Sequence, residues 1–309
     1  MSPRAPFRQP QRWAGTMTAL LASITILSGF GPAPSDSLLV SADWLRAHRD
    51  EPGLVLLHVG HHMDGAGPVE LIPGSVEVDY MDLIRDVGPT QSELPTIDSL
   101  RSLLEGRGIS NGSRVVIYSA DPIMAARAFV TLEAAGHDHL HILNGGTAAW
   151  KASHGAVVQR PVPPAGRGRF EPKPRSDVVV DADWVRARLG RPDLALLDTR
   201  TVEEFDGTGG RRGIPSSGHL EGAALLLWQD LVTAEGSPFL RALPELRRIY
   251  EARGAGSGKT VVAYCYLGYR ASLSYFVARL LGYEARFYDG SYDDWSRKGY
   301  PLVKAEVRH

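Results

Sequence analysis

Short apolar runs punctuate the chain at intervals, among them Leu54-Val-Leu-Leu, Val115-Val-Ile-Tyr, Leu194-Ala-Leu-Leu and Val261-Val-Ala-Tyr. Uninterrupted runs of this length without polar alternation predict strands buried on both faces. Between them the pattern changes period. From Ala271 to Leu281, Leu273, Phe276, Val277, Leu280 and Leu281 share one face at helical spacing, and the helical patterns after Val115 and Val261 stop at Gly136 and Gly282, which suit helix C-terminal caps. Strands alternating with helices predict α/β architecture with parallel sheets flanked by helices on both faces.

The pattern also repeats. Ser41-Ala-Asp-Trp-Leu-Arg-Ala returns as Asp181-Ala-Asp-Trp-Val-Arg-Ala, and each copy leads at equal distance to its apolar run. Each copy closes with a strand, a glycine turn and a tryptophan: Ile142-Leu-Asn-Gly-Gly through Trp150, and Phe287-Tyr-Asp-Gly through Trp295. The second copy trails the first by 140 to about 148 residues throughout, so two tandem domains are expected. Residues 159–174 hold five prolines and two glycines and read as an extended linker. The organisation expected is a targeting segment at 1–35, a first domain at 36–158, a linker at 159–175 and a second domain at 176–309.

Composition narrows the function classes. The 34 basic and 35 acidic residues leave a net charge of −1, so no global field favours nucleic acid or an anionic membrane, and any anion site must be built locally. Arg4, Arg8 and Arg12 precede an apolar run from Trp13 to Phe30 that five Ser and Thr residues interrupt. We read it as an export signal, cleaved rather than retained, giving a periplasmic or secreted protein; membrane contact is expected only if the segment stays uncleaved. The sequence has one cysteine, Cys265, which excludes an intramolecular disulfide and a cysteine-rich zinc site. His58, His61, His62, His137, His139 and His141 have no carboxylate or cysteine framework that favours metal ligation, and neither metal nor cofactor is expected. Gly254-Ala-Gly-Ser-Gly-Lys-Thr260 resembles a phosphate-binding loop only superficially, because it precedes a strand instead of following one.

Between the strand at Val261 and the helix from Ala271 lies Cys265-Tyr-Leu-Gly-Tyr-Arg270. A loop there presents backbone N–H groups and the positive end of a helix to the cysteine, stabilising a thiolate, a persulfide or a bound oxyanion. Arg270 adds a full charge, and Gly268 permits a tight curl. The segment Tyr264-Cys265-Tyr-Leu-Gly-Tyr-Arg270-Ala-Ser resembles the active-site loop of rhodaneses, sulfurtransferases of the Cys-x-x-Gly-x-Arg type. Leu196-Leu-Asp198-Thr-Arg200, Glu203-Glu204-Phe205-Asp206-Gly207, Gly218-His219-Leu-Glu-Gly-Ala223 and Tyr288-Asp289-Gly290-Ser-Tyr-Asp-Asp-Trp295 resemble further family elements in family order. Glu221 stands where the family usually has Pro, and 207–217 carries extra residues, including Arg211 and Arg212. In the first copy Ser119 matches Cys265, Met124 matches Arg270, and His58 and Gly60 match Asp198 and Arg200; that half cannot form a persulfide.

The resemblance implies two rhodanese-like domains. Cys265 takes sulfur from thiosulfate or a related anionic donor and yields it to a thiol or cyanide. Arg270, Arg200 and the loop residues Tyr266, Leu267, Gly268 and Tyr269 are the expected donor-binding groups, with Asp198, Glu204 and His219 in support. Tyr266, where mercaptopyruvate enzymes of the Cys-Gly-Ser-Gly pattern have a small residue, favours thiosulfate. Two alternatives stay open: a cysteine phosphatase or arsenate reductase, although those use five residues between Cys and Arg and four stand here, and a non-enzymatic sulfur carrier or sensor.

Overall fold

A computed structural model describes Met1 and residues 37–61, 69–210 and 217–304. The expected signal, His62, Arg211 and Arg212 therefore lie outside the described residues.

The first domain runs β1 (Leu39–Val40), α1 (Ala42–His48), β2 (Leu54–Gly60), β3 (Val76–Asp79), β4 (Arg85–Val87), β5 (Thr90–Glu93), α2 (Ile97–Gly106), β6 (Arg114–Tyr118), α3 (Pro122–Ala134), β7 (Leu140–Leu143) and α4 (Gly146–Ala152). The second runs β8 (Val179–Val180), α5 (Ala182–Arg186), β9 (Leu194–Asp198), α6 (Val202–Asp206), β10 (Ala224–Leu225), α7 (Leu243–Glu251), β11 (Thr260–Tyr264), α8 (Tyr269–Leu280), β12 (Glu284–Tyr288) and α9 (Ser291–Arg297). The sheets are parallel and share one topology, β1-β7-β6-β2-β3 in the first and β8-β12-β11-β9-β10 in the second. Register agrees too: Val115 pairs with Val55 and Val261 with Ala195 on the two central strands. The sequence repeat is thus a structural repeat. Gly136 and Gly282 follow the last turns of α3 and α8 with φ of 91° and 81°, the left-handed backbone that glycine adopts without penalty.

Two features lie outside the sheets. The antiparallel hairpin β4–β5 has a shorter counterpart in the second domain, where Val232 bridges Leu240 and Thr233 N donates to Phe239 O at 3.0 Å. The proline-rich connector is extended, as expected, but it is no free linker. Val162 N donates to Ser75 O at 2.9 Å, Gly168 N to Glu105 O at 2.8 Å and Lys173 N to Ala135 O at 2.8 Å. Phe170 is buried and stacks on His137, ring centroids 5.9 Å apart. Burying one such ring contributes about 1.5–3 kcal/mol, enough with the backbone bonds to strap the connector along the first domain.

Helices α3 and α8 explain how the halves meet. Both are buried on nearly every side, and besides their apolar residues they carry Arg127, Thr131, Glu133, Ser272 and Ser274 into the interior. They pack on each other through Phe129 and Phe276, edge to face with centroids 4.9 Å apart. Both start at the C-terminal end of a central strand, so this packing brings the two strand-to-helix turns together.

Candidate active site

Cys265 is the first residue beyond β11, at the carboxyl end of a parallel sheet where α/β folds form their ligand crevices. The turn into α9 fixes the loop from behind. Tyr292 N donates to Cys265 O at 2.9 Å, Asp293 N to Tyr266 O at 3.0 Å, and Cys265 N to the Ser291 hydroxyl at 3.2 Å. Ser291 holds a left-handed backbone, φ 51°, to do this. Gly268 then opens α8 with φ 78° and no side-chain cap. A Cβ there would come within 3.0 Å of Asp289 O and of the Arg127 guanidinium. Glycine is needed for the backbone angle and for protein atoms behind the loop, not for ligand clearance. The N–H groups of Leu267, Gly268, Tyr269 and Arg270 meet no acceptor among the described residues.

A cavity of about 600 Å³ opens over the cysteine. The second domain lines it with Cys265, Tyr266, Leu267, Tyr269, Arg270 and Glu204, and Trp228 completes that side. The first domain supplies His61, Tyr80, Ser92, Asp121, Ile123 and Met124. Arg270 pairs with Glu204 at 2.9 Å. Glu204 is itself held by a capping box, accepting from Thr201 N at 2.8 Å while Thr201 caps α6. Tyr269 donates its hydroxyl to Asp121 at 2.6 Å and packs edge-on against Tyr80, centroids 5.2 Å apart. Burial, then the Asp121 carboxylate, push the Tyr269 phenol far above its ordinary range, and burial takes Tyr80 to about 12. Both therefore stay neutral hydroxyls at physiological pH.

Three expected site residues lie elsewhere. Arg200 does not reach the cavity. Its side chain is fully buried, its guanidinium donates to Asp198 at 2.6–3.1 Å and to Gly218 O at 2.7 Å, and it sits 3.9 Å over the Tyr292 ring. A donor-binding role for Arg200 is thus replaced by a structural one, because a buried Asp198 requires a paired cation. Asp198 also accepts from the Tyr264 hydroxyl at 2.7 Å, and burial with that carboxylate raises the phenol well above its usual value. His219 stacks on Phe205 at 3.7 Å and its Nδ1 lies 2.9 Å from Phe205 O, while its backbone pairs with Val303. It shapes the Gly218–Ala223 turn, whose Leu220 N reaches the Tyr264 hydroxyl at 3.2 Å.

Other groups at the site escaped the sequence reading. Arg127 of α3, fully buried, crosses between domains to Asp289 at 2.9 Å and donates to Ser92 O at 2.7 Å. Leu94 N donates to the same Asp289 at 2.6 Å. The β4–β5 hairpin is thereby fastened over the turn that supports the cysteine loop. Asp121-Pro122 carried a legible helix-start signal; nothing local in 85–94 signalled its position. The turn from β6 to α3, Ser119–Asp121, is one residue shorter than Cys265–Gly268, so helix register sets Ile123 rather than Met124 opposite Arg270; both line the cavity. The histidines do not converge: His58 pairs with Glu77 at 2.8 Å, His141 faces Ser37 O at 2.7 Å, and burial lowers His137 to about 4.

The rhodanese-like domain model matches residues 41–153 and 181–298. Among known proteins, the chain is 30% identical over 287 residues to the sulfur carrier protein TtuD of Thermus thermophilus, spanning 87% of this chain and 97% of that one. It is 32% identical to a probable 3-mercaptopyruvate sulfurtransferase of Pseudomonas aeruginosa, over 84% of this chain and 95% of the relative, and 28% identical to the thiosulfate sulfurtransferase of Corynebacterium glutamicum, over 83% and 87%. The fold superposes on SseA from Escherichia coli with TM-score 0.70 and 24% identity, covering 82% of this chain and 98% of SseA. Two matched domains, a shared sheet topology and relatives aligned along nearly their full length lead to one statement: the chain belongs to the rhodanese family, as a tandem-domain member of the sulfur-transferring type.

Proposed function

We propose that this protein is a sulfurtransferase in which Cys265 carries the sulfur as a persulfide and thiosulfate is the donor. The observation that carries the reading is the start of α8: a cysteine beside a helix N-terminus with no side-chain cap, whose loop amides from Leu267 to Arg270 meet no acceptor among the described residues. Such a site stabilises thiolate and persulfide and favours an oxyanion. The Cys265 thiolate attacks the outer sulfur of thiosulfate, the S–S bond breaks and sulfite leaves with the electron pair. A thiolate or cyanide then attacks the outer sulfur of the persulfide and Cys265 leaves as thiolate, so kinetics are ping-pong. The loop amides and Arg270, its charge tempered by Glu204, hold the anionic sulfur by preorganised electrostatics. Tyr266 fills the place of a small loop residue and favours thiosulfate over mercaptopyruvate. We also read residues 1–35 as an export signal, which N-terminal sequencing of the mature protein tests.

The test incubates the protein with thiosulfate or mercaptopyruvate and cyanide, follows thiocyanate, and runs Cys265→Ser alongside with p-nitrophenyl phosphate as control. Cys265-dependent thiocyanate from thiosulfate is expected. Thiocyanate from mercaptopyruvate alone overturns the donor; phosphate release instead overturns the reaction class; a persulfide that forms but turns over only to a protein partner favours a carrier.

A further inference from the structure

Thiosulfate is a handful of atoms, whereas the cavity over Cys265 holds about 600 Å³, a volume typical of sites for organic ligands. A donor seated on the loop amides at the floor leaves most of that space to whatever takes the sulfur away. Four aromatic residues, Tyr80, Trp228, Tyr266 and Tyr269, help line the cavity, with Tyr80 edge-on to Tyr269.

Charge in the lining is one-sided. Arg270 is offset by Glu204 at 2.9 Å. Asp121 accepts from the Tyr269 hydroxyl at 2.6 Å and from Ile123 N at 2.8 Å, but no cation stands beside it among the described residues. Burial holds the Tyr269 phenol in its neutral form, as the donor to Asp121. His61 at the rim faces Asp79 at 3.5 Å. A carboxylate with no counter-ion among the described residues, in a cavity also lined by four aromatic residues, attracts a cation by charge, and the rings add their quadrupoles.

Resting on the persulfide reading, we propose that the sulfur acceptor is a small organic thiol bearing a positive charge, an ammonium or quaternary ammonium group, selected by Asp121 of the cysteine-free first domain. In discharge, the acceptor thiolate attacks the outer sulfur of the Cys265 persulfide, a new S–S bond forms on the acceptor, and the Cys265 thiolate leaves. The cationic end lies toward Asp121 and the rings. Anionic thiols of equal size are disfavoured by the same carboxylate.

The experiment uses three thiols that differ only at the far end: thiocholine, 2-mercaptoethanol and 2-mercaptoethanesulfonate. Discharge of the Cys265 persulfide is followed at matched thiolate concentration. Thiocholine should exceed mercaptoethanesulfonate in kcat/KM by about tenfold, the scale of one charge pair at partly screened range. Asp121→Asn removes the charge and keeps both the cap and the acceptor for Tyr269, and it should bring the two within about twofold; Asp121→Glu should retain the preference. Equal rates in the wild type, or a ratio that Asp121→Asn leaves unchanged, overturn the proposal. Calorimetric binding of choline and isethionate to Cys265→Ser gives a second readout that needs no sulfur transfer. Tighter choline binding, lost in the Asp121→Asn background, supports the acceptor class even where no persulfide forms and the functional reading itself has failed; equal binding or tighter isethionate overturns it.

Discussion

After β6 the chain passes through Ser119, Ala120 and Asp121 into α3; after β11 it passes through Cys265, Tyr266, Leu267 and Gly268 into α8. The two turns occupy equivalent places in equivalent sheets. In the first, the Asp121 carboxylate accepts from Ile123 N at 2.8 Å and Pro122, which has no N–H, opens the helix, so the positive end is satisfied internally. In the second, glycine opens the helix and offers nothing. One helix start brings its own side-chain acceptor; the other leaves its loop amides open among the described residues. The difference lies in a few side chains on a common backbone, and it can be broken or sharpened by changing them.

The largest effect is expected at the cysteine. Cys265→Ser should lower thiocyanate formation at least ~10³-fold, because oxygen cannot carry sulfane sulfur, while adding Ser119→Cys to that variant should yield no persulfide by mass spectrometry. A persulfide at position 119 would mean that the capped turn serves as well as the open one. Next comes Arg200. The first domain has Gly60 there and bonds its Tyr118 hydroxyl to Ser75 at 2.7 Å instead, whereas Arg200→Met strands Asp198 as a buried charge and should cost about 3–5 kcal/mol in urea unfolding. A raised KM for thiosulfate without loss of stability would restore a donor-binding role.

Gly268→Ala should cost about 1–2 kcal/mol, from the left-handed backbone and the close contacts behind it, and lower turnover; thermal unfolding beside a thiocyanate assay reads both. A last effect concerns the β4–β5 hairpin. Burial, then the neighbouring Asp289 carboxylate, push Glu93 from 4.5 up to about 8. Between those values the folded protein keeps a proton that the unfolded chain has released, so this contribution to stability is full below pH 4.5 and is lost as pH rises to about 8. Urea midpoints measured from roughly pH 5 to 9 should fall in the wild type and fall less in Glu93→Gln. Parallel slopes would show that Glu93 titrates normally.

The repeat, the parallel sheets and the cysteine loop were legible because each is written in local pattern: four-residue apolar runs, capping glycines, and a Cys-to-Arg spacing contained within six residues. Arg200 was misread for a physical reason. A motif shows that an arginine follows Asp198 by two positions, but not whether the guanidinium turns outward to an anion or inward to that aspartate, and only the burial of both settles the direction. Asp121, Ser92 and Arg127 were not legible as site residues, because what brings them to the cysteine is the packing of α3 on α8, a contact between segments some 150 residues apart. The connector misled in the opposite sense. Its prolines and glycines truthfully reported an extended backbone, yet composition is silent about where an extended backbone lies, and Phe170 pins it down.

The all-round burial of α3 and α8 ties the two halves of the chain to each other. A second domain made alone would present Leu273 and Phe276 to water and leave Asp289 without Arg127. The copies are therefore mutually dependent: the one without a cysteine cannot be discarded, because its helix is part of the interior of the one that has it.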